Sequence, residues 1–239
     1  MTTIQDRTVL VTGAGRGLGR AFVAEALARG ARTVYASARD TSTIEGHPRV
    51  VPVELDVTNP ESVYEAAEYV GDLGVLINNA GILIGESPLT GDLDGMRREL
   101  ETNLYGPLNV TRALAPIIAA NGGGAILNVH SVLSWLAVGG SYSVSKAALW
   151  SATNAMRAEL AAQNIQVVGL HLGYMDTDMT SGLDVPKISA AEVARLAFDG
   201  IESGAHEVLA DDTSRTVKAA LSGDLDVLYP QPAQQGAAE

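Results

Sequence analysis

Short runs of β-branched and apolar residues alternate with longer amphipathic runs along most of this chain. Runs typical of strands occur at 7–12, 32–37, 50–55, 74–81, 125–131, 165–172 and 206–210. Between them, apolar residues recur at helical spacing at 19–30, 59–70, from about 92 to 121, at 142–163 and at 189–203. Because alternation at this spacing requires right-handed crossovers, it predicts an α/β fold: a doubly wound parallel sheet of about seven strands with helices on both faces.

No linker, repeat or low-complexity segment divides the 239 residues. We therefore expect a single domain over 1–239, with the stretch PQPAQQGAAE at 230–239 as a loose tail. Sheets of this kind bind ligands outside the carboxyl ends of their strands, so the functional residues are expected at those ends.

Composition excludes several classes of function. The formal net charge of −12 disfavours nucleic acid and anionic membranes as partners. The absence of cysteine excludes disulfides, thiolate metal sites and cysteine nucleophiles, and we expect no metal ion. Neither an export signal nor an uncharged apolar run of the ~18 residues needed to cross a bilayer is visible, which favours a soluble cytoplasmic protein.

A glycine-rich turn, TGAGRGLG, lies between the first strand and the first helix. It does not match G-x-G-x-x-G, because position 18 is leucine, and it does not match G-x-x-x-x-G-K-[ST]. It does match G-x-x-x-G-x-G. A tight turn alone would explain such a cluster, but its place before a helix N-terminus favours a nucleotide diphosphate. The predicted contacts are Gly13, Gly15, Arg16, Gly17, Leu18 and Gly19.

The segment GGSYSVSKAAL places Tyr142 four residues before Lys146, on the same face of a predicted helix. An exposed pair at this spacing contributes only ~0.2–0.5 kcal/mol, too little to alter a tyrosine whose pKa is near ~10. In a partly buried cleft, charges ~4 Å apart interact by about 4 kcal/mol. The pair can therefore do proton chemistry if it lines a pocket; otherwise it is a chance pair on the surface.

Five motifs in this order resemble the short-chain dehydrogenase/reductase family over roughly residues 7–210: T-G-x-x-x-G-x-G, NNAG at 78–81, Asn103, Ser131 and Y-x-x-x-K. The resemblance implies a Rossmann-type sheet, a nicotinamide cofactor and hydride transfer to or from a carbonyl or alcohol. It also implies roles for four residues. Tyr142 would be the general acid and base, and Lys146 would depress its pKa and hold the ribose. Ser131 would donate to the substrate oxygen, and Asn103 would help hold a water in a proton relay.

The chain departs from the family pattern near the serine. Ser131 precedes Tyr142 by eleven positions, fewer than is common in the family, which leaves Ser134 as a weaker candidate. His130 stands where the family often has a serine. A hydrolase dyad of His130 with Ser131 is disfavoured, because neighbouring strand residues point to opposite faces and no G-x-S-x-G elbow is present.

The end of the second strand predicts NADP(H) rather than NAD(H). A carboxylate at this strand end would accept from the adenosine ribose in an NAD(H) enzyme. Here Ser37 corresponds to it, and Arg39 follows. A 2′-phosphate suits a hydroxyl and guanidinium groups, to which Arg16 could add. The alternative is that Arg39 and Arg16 are ordinary solvated arginines, and Asp40 beside them weakens the prediction.

Other cofactor contacts follow from the resemblance. LDV at 55–57 resembles the adenine-edge motif, although its aspartate could instead cap a helix. The small residues of NNAG would lie under the nucleotide, with Asn78 structural. LGYMDTDM resembles the stretch that meets the carboxamide, with Leu172 in place of its usual proline, and its threonine could also be a helix cap. The predicted contacts are Asp56, Val57, Asn79, Ala80, Gly81, Gly173 and Thr177.

Apolar residues near the serine predict a small or medium-sized, uncharged carbonyl or alcohol substrate. Besides Ser131, the predicted substrate contacts are Trp135, Tyr174, Met175 and Met179. Apolar stripes on the helices at 92–119 and 142–162 predict a homodimer or homotetramer. Two other functions stay open: the same fold could act as an epimerase or dehydratase, or as a non-catalytic NADP(H) sensor.

Overall fold

Seven parallel strands form one sheet in the computed structural model, which describes residues 2–175 and 187–230. The strands are β1 (Thr8–Thr12), β2 (Thr33–Ala38), β3 (Val50–Glu54), β4 (Leu73–Asn78), β5 (Gly124–Val129), β6 (Ile165–His171) and β7 (Glu207–Leu209), in the order β3-β2-β1-β4-β5-β6-β7. The chain runs outward from β1 in one direction and then from β4 in the other. The crevice between the carboxyl ends of β1 and β4 is therefore the switch point at which such sheets bind ligands.

Helices cover both faces of the sheet. They are α1 (Gly17–Ala28), α2 (Pro60–Tyr69), α3 (Leu93–Leu100), α4 (Gly106–Ala120), α5 (Ser141–Leu160), α6 (Ala190–Ser203), α7 (Asp212–Ala220) and α8 (Leu225–Leu228). α1 and α6 bury their apolar stripes on one face, where Phe22 meets Phe198 edge to face at 6.1 Å. α2 and α4 pack on the other face. Full burial of each Phe stabilises the fold by about 1.5–3 kcal/mol.

A chain of buried polar side chains ties the sheet to α4 and α5. Asn78 donates to Thr111 at 3.1 Å and to Asn128 at 2.9 Å, and Asn128 donates to Thr153 at 2.9 Å. Polar groups inside a core are costly unless they are hydrogen-bonded, so this chain fixes both helices relative to β4 and β5. It gives Asn78 the structural role predicted for it.

The fold class is confirmed, and three details differ from prediction. The helix expected from about 92 to 121 is interrupted by a π turn, Glu101–Tyr105, between α3 and α4. α7 and α8 were missed. Asp211 caps α7 by accepting from the N–H of Ser214 at 2.7 Å, but α7 is mostly polar, and Val217 is the one apolar residue that it buries. In the described parts of the chain, no helix is long and apolar enough to span a bilayer. The predicted tail lies, beyond Pro230, outside the described residues.

Candidate active site

The glycine turn after β1 packs closely at the N-terminus of α1, which has no capping side chain. A Cβ on Gly19 would lie 2.0 Å from the carbonyl oxygen of Gly13, and Gly13 itself has φ +66°. Arg16 occupies the N-cap of α1 without a capping side chain, and the first turn contains no acid. The leading N–H groups of α1 therefore face outward for an anion. Leu18 differs from its neighbours, since its side chain is buried in the core and only its backbone belongs to this turn.

Two polar residues lock the glycine turn to the NNAG segment. The Thr12 hydroxyl accepts from the N–H groups of Asn79 and Ala80, each at 3.0 Å. The Asn79 amide donates to the carbonyls of Thr12 at 2.9 Å and Gly13 at 3.2 Å. Asn79 thus holds the turn with its side chain, instead of presenting that side chain to a ligand. Thr12 was not predicted as a site residue, although it is the first letter of the glycine motif.

Gly81 connects this end of the site to the predicted catalytic residues. A Cβ on Gly81 would lie 3.1 Å from Asn103 Oδ1 and 3.8 Å from Lys146 Nζ, and Gly81 is exposed. The glycine turn, the NNAG segment and the face of α5 that carries Tyr142 and Lys146 therefore lie together at the carboxyl edge of the sheet. This edge is where the sequence predicted the functional residues.

Asn103 lies in the π turn, and its side chain is fully engaged. Oδ1 accepts from the Ile82 N–H at 2.9 Å, and Nδ2 donates to the Ile82 carbonyl at 2.9 Å and to Ser145 at 3.0 Å. The side chain is also completely buried. A water would have to be held by the backbone carbonyl. Residue 107, four positions on, is proline and has no N–H to donate to that carbonyl.

Tyr142 and Lys146 lie on the same face of α5, but they are not directly hydrogen-bonded. Lys146 Nζ lies 5.7 Å from the Tyr142 ring centroid and donates to the Val129 carbonyl at 2.8 Å. Burial lowers the pKa of Lys146 to about 8. Burial, followed by the negative charge of Glu99, raises the pKa of Tyr142 to about 12, against the effect of a hydrogen bond with Ser131. The ammonium of Lys146 is directed at the Val129 carbonyl, and the lowering of the Tyr142 pKa by Lys146 stays a prediction.

Ser131 reaches Tyr142 despite the shortened segment between them, as the hydrogen bond affecting the Tyr142 pKa indicates. Ser131 opens a short 3₁₀ turn, Val132–Ser134, and its hydroxyl accepts from the Leu133 N–H at 3.2 Å. The Ser134 hydroxyl accepts from the Ser131 N–H at 3.3 Å, which completes a capping box. Ser134 therefore orients Ser131, and Ser131 is the serine that lies beside Tyr142.

The two buried histidines behind Ser131 form a stack with a tryptophan. His130 stacks on His171 at 4.7 Å between ring centroids, and His171 stacks on Trp135 at 3.9 Å. Burial lowers the pKa of His171 to about 4 and lowers that of His130 far below its usual value. Neither ring nitrogen of His130 has a hydrogen-bond partner among the described residues. A His130–Ser131 dyad is therefore absent from this part of the chain, and His130 is a packing residue.

The predicted substrate contacts are only partly placed at the cleft. Trp135 is a correction: it is 7% exposed and packs against His171 and Trp150, with Lys218 Nζ 5.0 Å from its ring. The sequence could not distinguish the cleft from the core for Trp135, because aromatic side chains occur in both protein cores and ligand pockets. Tyr174 is half exposed, and Met175 forms a bridge with Ile188. Met179 and Thr177 lie outside the described residues.

Residues from the C-terminal part of the chain hold two loops near Ser131: the one that follows Ser131 and the one that follows β6. The Tyr229 hydroxyl accepts from the Ala137 N–H at 2.9 Å and donates to the Trp135 carbonyl at 3.2 Å. Asp211 accepts from the Gly173 N–H at 2.6 Å. Gly173, predicted as a cofactor contact, is therefore tied by its N–H to the cap of α7. Neither contact was predicted, because each partner lies far along the chain.

The end of β2 differs from prediction in which side chain faces out. The Ser37 hydroxyl is buried and donates to the Val11 carbonyl at 3.2 Å, so Ser37 is corrected to a sheet residue. Ala38, the next residue, has its Cβ 3.9 Å from the position of a Cβ on Gly15. Successive side chains of a strand point to opposite faces. The outward position was assigned to Ser37 instead of Ala38, so the prediction chose the wrong face of the strand. Arg39 and Arg16 are exposed near this end.

A cavity of about 410 Å³ lies beyond β2 and β3, between Arg39 and the start of α2. Asp56 lines it and accepts from the N–H and hydroxyl of Thr58 at 2.9 and 2.7 Å. Burial would raise the pKa of Asp56, but the Thr58 hydrogen bonds and the Arg39 charge hold it below its usual value. Asn59 caps α2, so the alternative role of Asp56 as the helix cap is wrong. Val57 is buried, and its carbonyl accepts from Asn109 at 3.2 Å.

Comparison with known proteins agrees with this geometry. The sequence profile of the short chain dehydrogenase family matches residues 7–186. The chain belongs to that family. A ketoacyl reductase, HetN, of Nostoc sp. is 32% identical to this short-chain dehydrogenase over 237 residues, which cover 90% of this chain and 82% of HetN.

Solved structures share the fold of this short-chain dehydrogenase. A short chain dehydrogenase from Burkholderia cenocepacia in complex with NADP is 38% identical, with a TM-score of 0.91 over 96% of this chain and 100% of the other. A family member from Burkholderia phymatum in complex with NAD has a TM-score of 0.84 over 100% of both chains. At 20% identity the second likeness concerns the fold alone. The chain is therefore an oxidoreductase of the short-chain dehydrogenase type.

Proposed function

We propose that this oxidoreductase uses NADPH to interconvert a small or medium-sized apolar carbonyl compound and its alcohol, with Tyr142 as general acid and base. One observation carries the proposal: exposed Gly81 lies against both Asn103 and Lys146, so the catalytic face of α5 is continuous with the glycine turn. A dinucleotide whose diphosphate lies on the α1 N-terminus would extend along this surface towards Tyr142.

The residues at this edge fit a nicotinamide dinucleotide. Glycine occupies positions 13, 15, 17 and 19 of the turn, and the side chains of Ala14 and Leu18 are buried, so a diphosphate can approach the backbone and the bare end of α1. Asn79 and Thr12 would keep the turn in shape, and Ala80 and Gly81 would leave room for the ribose. When bound, the reduced cofactor supplies the hydride, and the protein supplies binding, orientation and the proton.

Tyr142 and Ser131 would handle the proton and the substrate oxygen. Ser131 is close enough to Tyr142 to lower the pKa of its phenol, so a carbonyl oxygen between the two hydroxyls could accept from each. Tyr142, with its raised pKa, is protonated at neutral pH and would give its proton to that oxygen as the alcohol forms. Ser131 would hold the oxygen in line through a second hydrogen bond.

Lys146 and a water held by Asn103 would return a proton to Tyr142 after the reduction. An ammonium has three N–H groups, so Lys146 can bind the Val129 carbonyl and ribose hydroxyls at once. With a pKa of about 8, Lys146 is mostly protonated at pH 7 and can still exchange protons with water. The Asn103 carbonyl, which Pro107 leaves without its usual helical donor, would hold that water.

The choice of NADPH rests on charge at the end of β2. Ala38 offers no carboxylate to repel a 2′-phosphate, and exposed Arg39 and Arg16 carry positive charge nearby. The Burkholderia cenocepacia relative at 38% identity is described with NADP, which supports this choice, whereas the fold alone also accommodates NAD. The Asp40 carboxylate accepts from the Ser42 N–H at 3.0 Å and keeps its negative charge, which opposes the arginines.

Arg39→Ala is expected to weaken NADPH binding by at least about tenfold, because a hydrogen bond to a charged group contributes ~1.5–3 kcal/mol. NADH binding should stay unchanged, since it has no 2′-phosphate. Titration of nicotinamide fluorescence measures both constants. Arg32→Ala is the matched control, because Arg32 lies at the other end of β2 in an ion pair with Asp72. Wild-type protein that binds NADH as tightly as NADPH would contradict the choice of cofactor.

Two other functions are weighed against the reductase. A non-catalytic sensor has no need of Ser131, Tyr142 and Lys146, yet the three lie together. An epimerase or dehydratase needs a further acid or base at the substrate. Among the described residues near Ser131, His130 and His171 are buried in a stack and Glu99 is completely buried, so they do not supply it.

A panel of ketones and aldehydes with NADPH tests the proposal through the loss of nicotinamide absorbance. Turnover of apolar carbonyl compounds would support the reductase. Absence of turnover across the panel, with NADPH bound in a parallel titration, would favour the sensor. Turnover restricted to charged carbonyl compounds would contradict the substrate class proposed from Tyr174 and its neighbours.

We further propose that the protein is a cytoplasmic homodimer or homotetramer. Apolar residues of α5 and the π turn stay at the surface of the single chain, with Val144 47% and Tyr105 49% exposed. Light scattering coupled to size exclusion should give two or four chain masses over a concentration series. A monomer mass at every concentration would overturn the assembly.

A further inference from the structure

Residues 135–139, which we call the bridging segment, join the turn that carries Ser131 to the start of α5. In the described ranges 2–175 and 187–230, no backbone hydrogen bond holds Ala137, Val138 or Gly139. The segment is held instead by two side-chain hydroxyls from outside it. Because backbone groups in such a loop otherwise bond to water, hydroxyls that replace this water fix where the segment lies.

The first hydroxyl is that of Ser143, in the first turn of α5. It accepts from the Gly139 N–H at 3.0 Å and donates to the Leu136 carbonyl at 2.8 Å. A Cβ on Gly139 would lie 3.0 Å from this Oγ, so the backbone passes directly beside it. Ser143 therefore ties the end of the bridging segment to the helix that it leads into.

The second hydroxyl is that of Tyr229, which follows α8. It accepts from the Ala137 N–H at 2.9 Å and donates to the Trp135 carbonyl at 3.2 Å. Local contacts set Tyr229 in place, because its own N–H donates to the Leu225 carbonyl at 2.8 Å and Leu228 packs against the apolar cluster that contains Trp135. Tyr229 is therefore a long-range tie on the bridging segment.

Val138 lies between the two ties, and its side chain is 69% exposed. The bridging segment starts four residues after Ser131 and ends three residues before Tyr142, so it borders the place where both hydroxyls would bind a carbonyl oxygen. An exposed apolar side chain on a backbone that is already fixed suits contact with a ligand, since little further ordering is needed when the ligand covers it.

We propose that Tyr229 is a positioning residue for the substrate: its hydroxyl holds the bridging segment so that Val138 contacts the alkyl arm of the carbonyl compound. The inference rests on the proposed function and adds to it a preference for ketones with a longer alkyl arm. Tyr229 does not touch the reacting atoms and acts through Val138. Without its hydroxyl, the loop must be ordered each time the alkyl arm binds, which weakens binding.

Hydrogen exchange of the Ala137 amide tests the tie without a substrate. Tyr229→Phe (Y229F) keeps the ring and removes the oxygen that accepts from this N–H. We expect the amide to exchange at least about fivefold faster in Y229F than in the wild type, the factor for losing a hydrogen bond of typical strength. Tyr69→Phe is the matched control, because Tyr69 is 63% exposed at the end of α2. Equal exchange in the two variants would overturn the tie.

A double-mutant cycle tests whether Tyr229 acts through Val138. The substrates are 2-butanone and 2-octanone, which share the methyl ketone group and differ in alkyl length. Val138→Ala should lower the ratio of kcat/KM for 2-octanone to that for 2-butanone by about threefold or more, because it removes apolar contact with the longer chain. Y229F should lower the same ratio, mainly through KM, with wild-type NADPH affinity. In the double variant, the ratio should stay within about twofold of that in Val138→Ala alone.

Three results would overturn this role of Tyr229. A wild-type enzyme without a preference for 2-octanone would exclude the contact at Val138. Losses that multiply in the double variant would show that Tyr229 acts independently of Val138. A wild-type ratio in Y229F, with both ketones turned over more slowly, would show a structural role alone. Absence of turnover of both ketones, with NADPH bound, would contradict the proposed function, and exchange at Ala137 would still decide whether Tyr229 holds the segment.

Discussion

Tyr142→Phe is expected to lower carbonyl reduction by roughly 10²–10⁴-fold, the contribution typical of a positioned general acid. The substitution removes one oxygen atom and leaves the ring, which packs near Lys146. Ser131 would still bind the substrate oxygen, but no group would give it a proton. NADPH binding should stay within about twofold, because the phenol oxygen is not needed to hold the diphosphate. Turnover and fluorescence titration on the same preparation measure both effects.

Tyr64→Phe is the control for this substitution, since Tyr64 is 66% exposed on α2, away from the strand ends that form the site. It should keep full activity. Wild-type turnover in Tyr142→Phe would contradict the role of Tyr142 as the acid. The direction of the pH dependence is fixed by the raised pKa of Tyr142, about 12. Reduction needs the protonated phenol and should vary little around neutral pH, whereas oxidation needs the phenolate and should rise with pH.

Gly19→Ala is expected to weaken NADPH binding by about 10²-fold or more, a loss typical of a site displaced by ~1 Å. The added Cβ would lie 2.0 Å from the Gly13 carbonyl oxygen, a distance that no methyl group can keep. The obstacle is backbone, so it cannot rotate away. The turn must open, and the N–H groups of α1 then no longer meet a diphosphate at hydrogen-bond distance.

Gly46→Ala is the matched control, because nothing lies within 4 Å of a Cβ at that position. Its NADPH affinity should equal that of the wild type. Thermal unfolding of both variants without cofactor separates a loss of fold from a loss of binding, since a folded Gly19→Ala should still unfold cooperatively. If Gly19→Ala binds NADPH as tightly as the wild type, the diphosphate does not lie on this turn.

Local patterns predicted those parts of the fold and site that depend on near neighbours in the sequence. The seven strands were predicted from short apolar runs that alternate with longer amphipathic runs. The glycine turn was predicted from a motif of eight consecutive residues. The pairing of Tyr142 and Lys146 on one face needs only helical geometry. The break between α3 and α4 was missed because a π turn keeps the amphipathic pattern on both sides.

Features that depend on distant contacts could not be predicted in the same way. The sequence alone does not define whether Ser37 or Ala38 faces outward at the end of β2, because a shift of one position along the strand reverses the face. Trp135 suits a pocket or a core equally well, and only His171, thirty-six positions away, decides for the core. The raised pKa of Tyr142 depends first on burial and then on the charge of Glu99, and both result from packing between segments that are distant in the sequence.

The Tyr229 hydroxyl, which bridges the Ala137 N–H and the Trp135 carbonyl, has a practical consequence for handling the protein. The segment that begins at Ser131 is held by Tyr229, which lies far along the chain. Truncations or insertions close to position 229 would therefore disturb the segment that carries Ser131, the residue proposed to bind the substrate oxygen. Enzyme preparations that differ only in their C-terminal fusion should be compared with that attachment in mind.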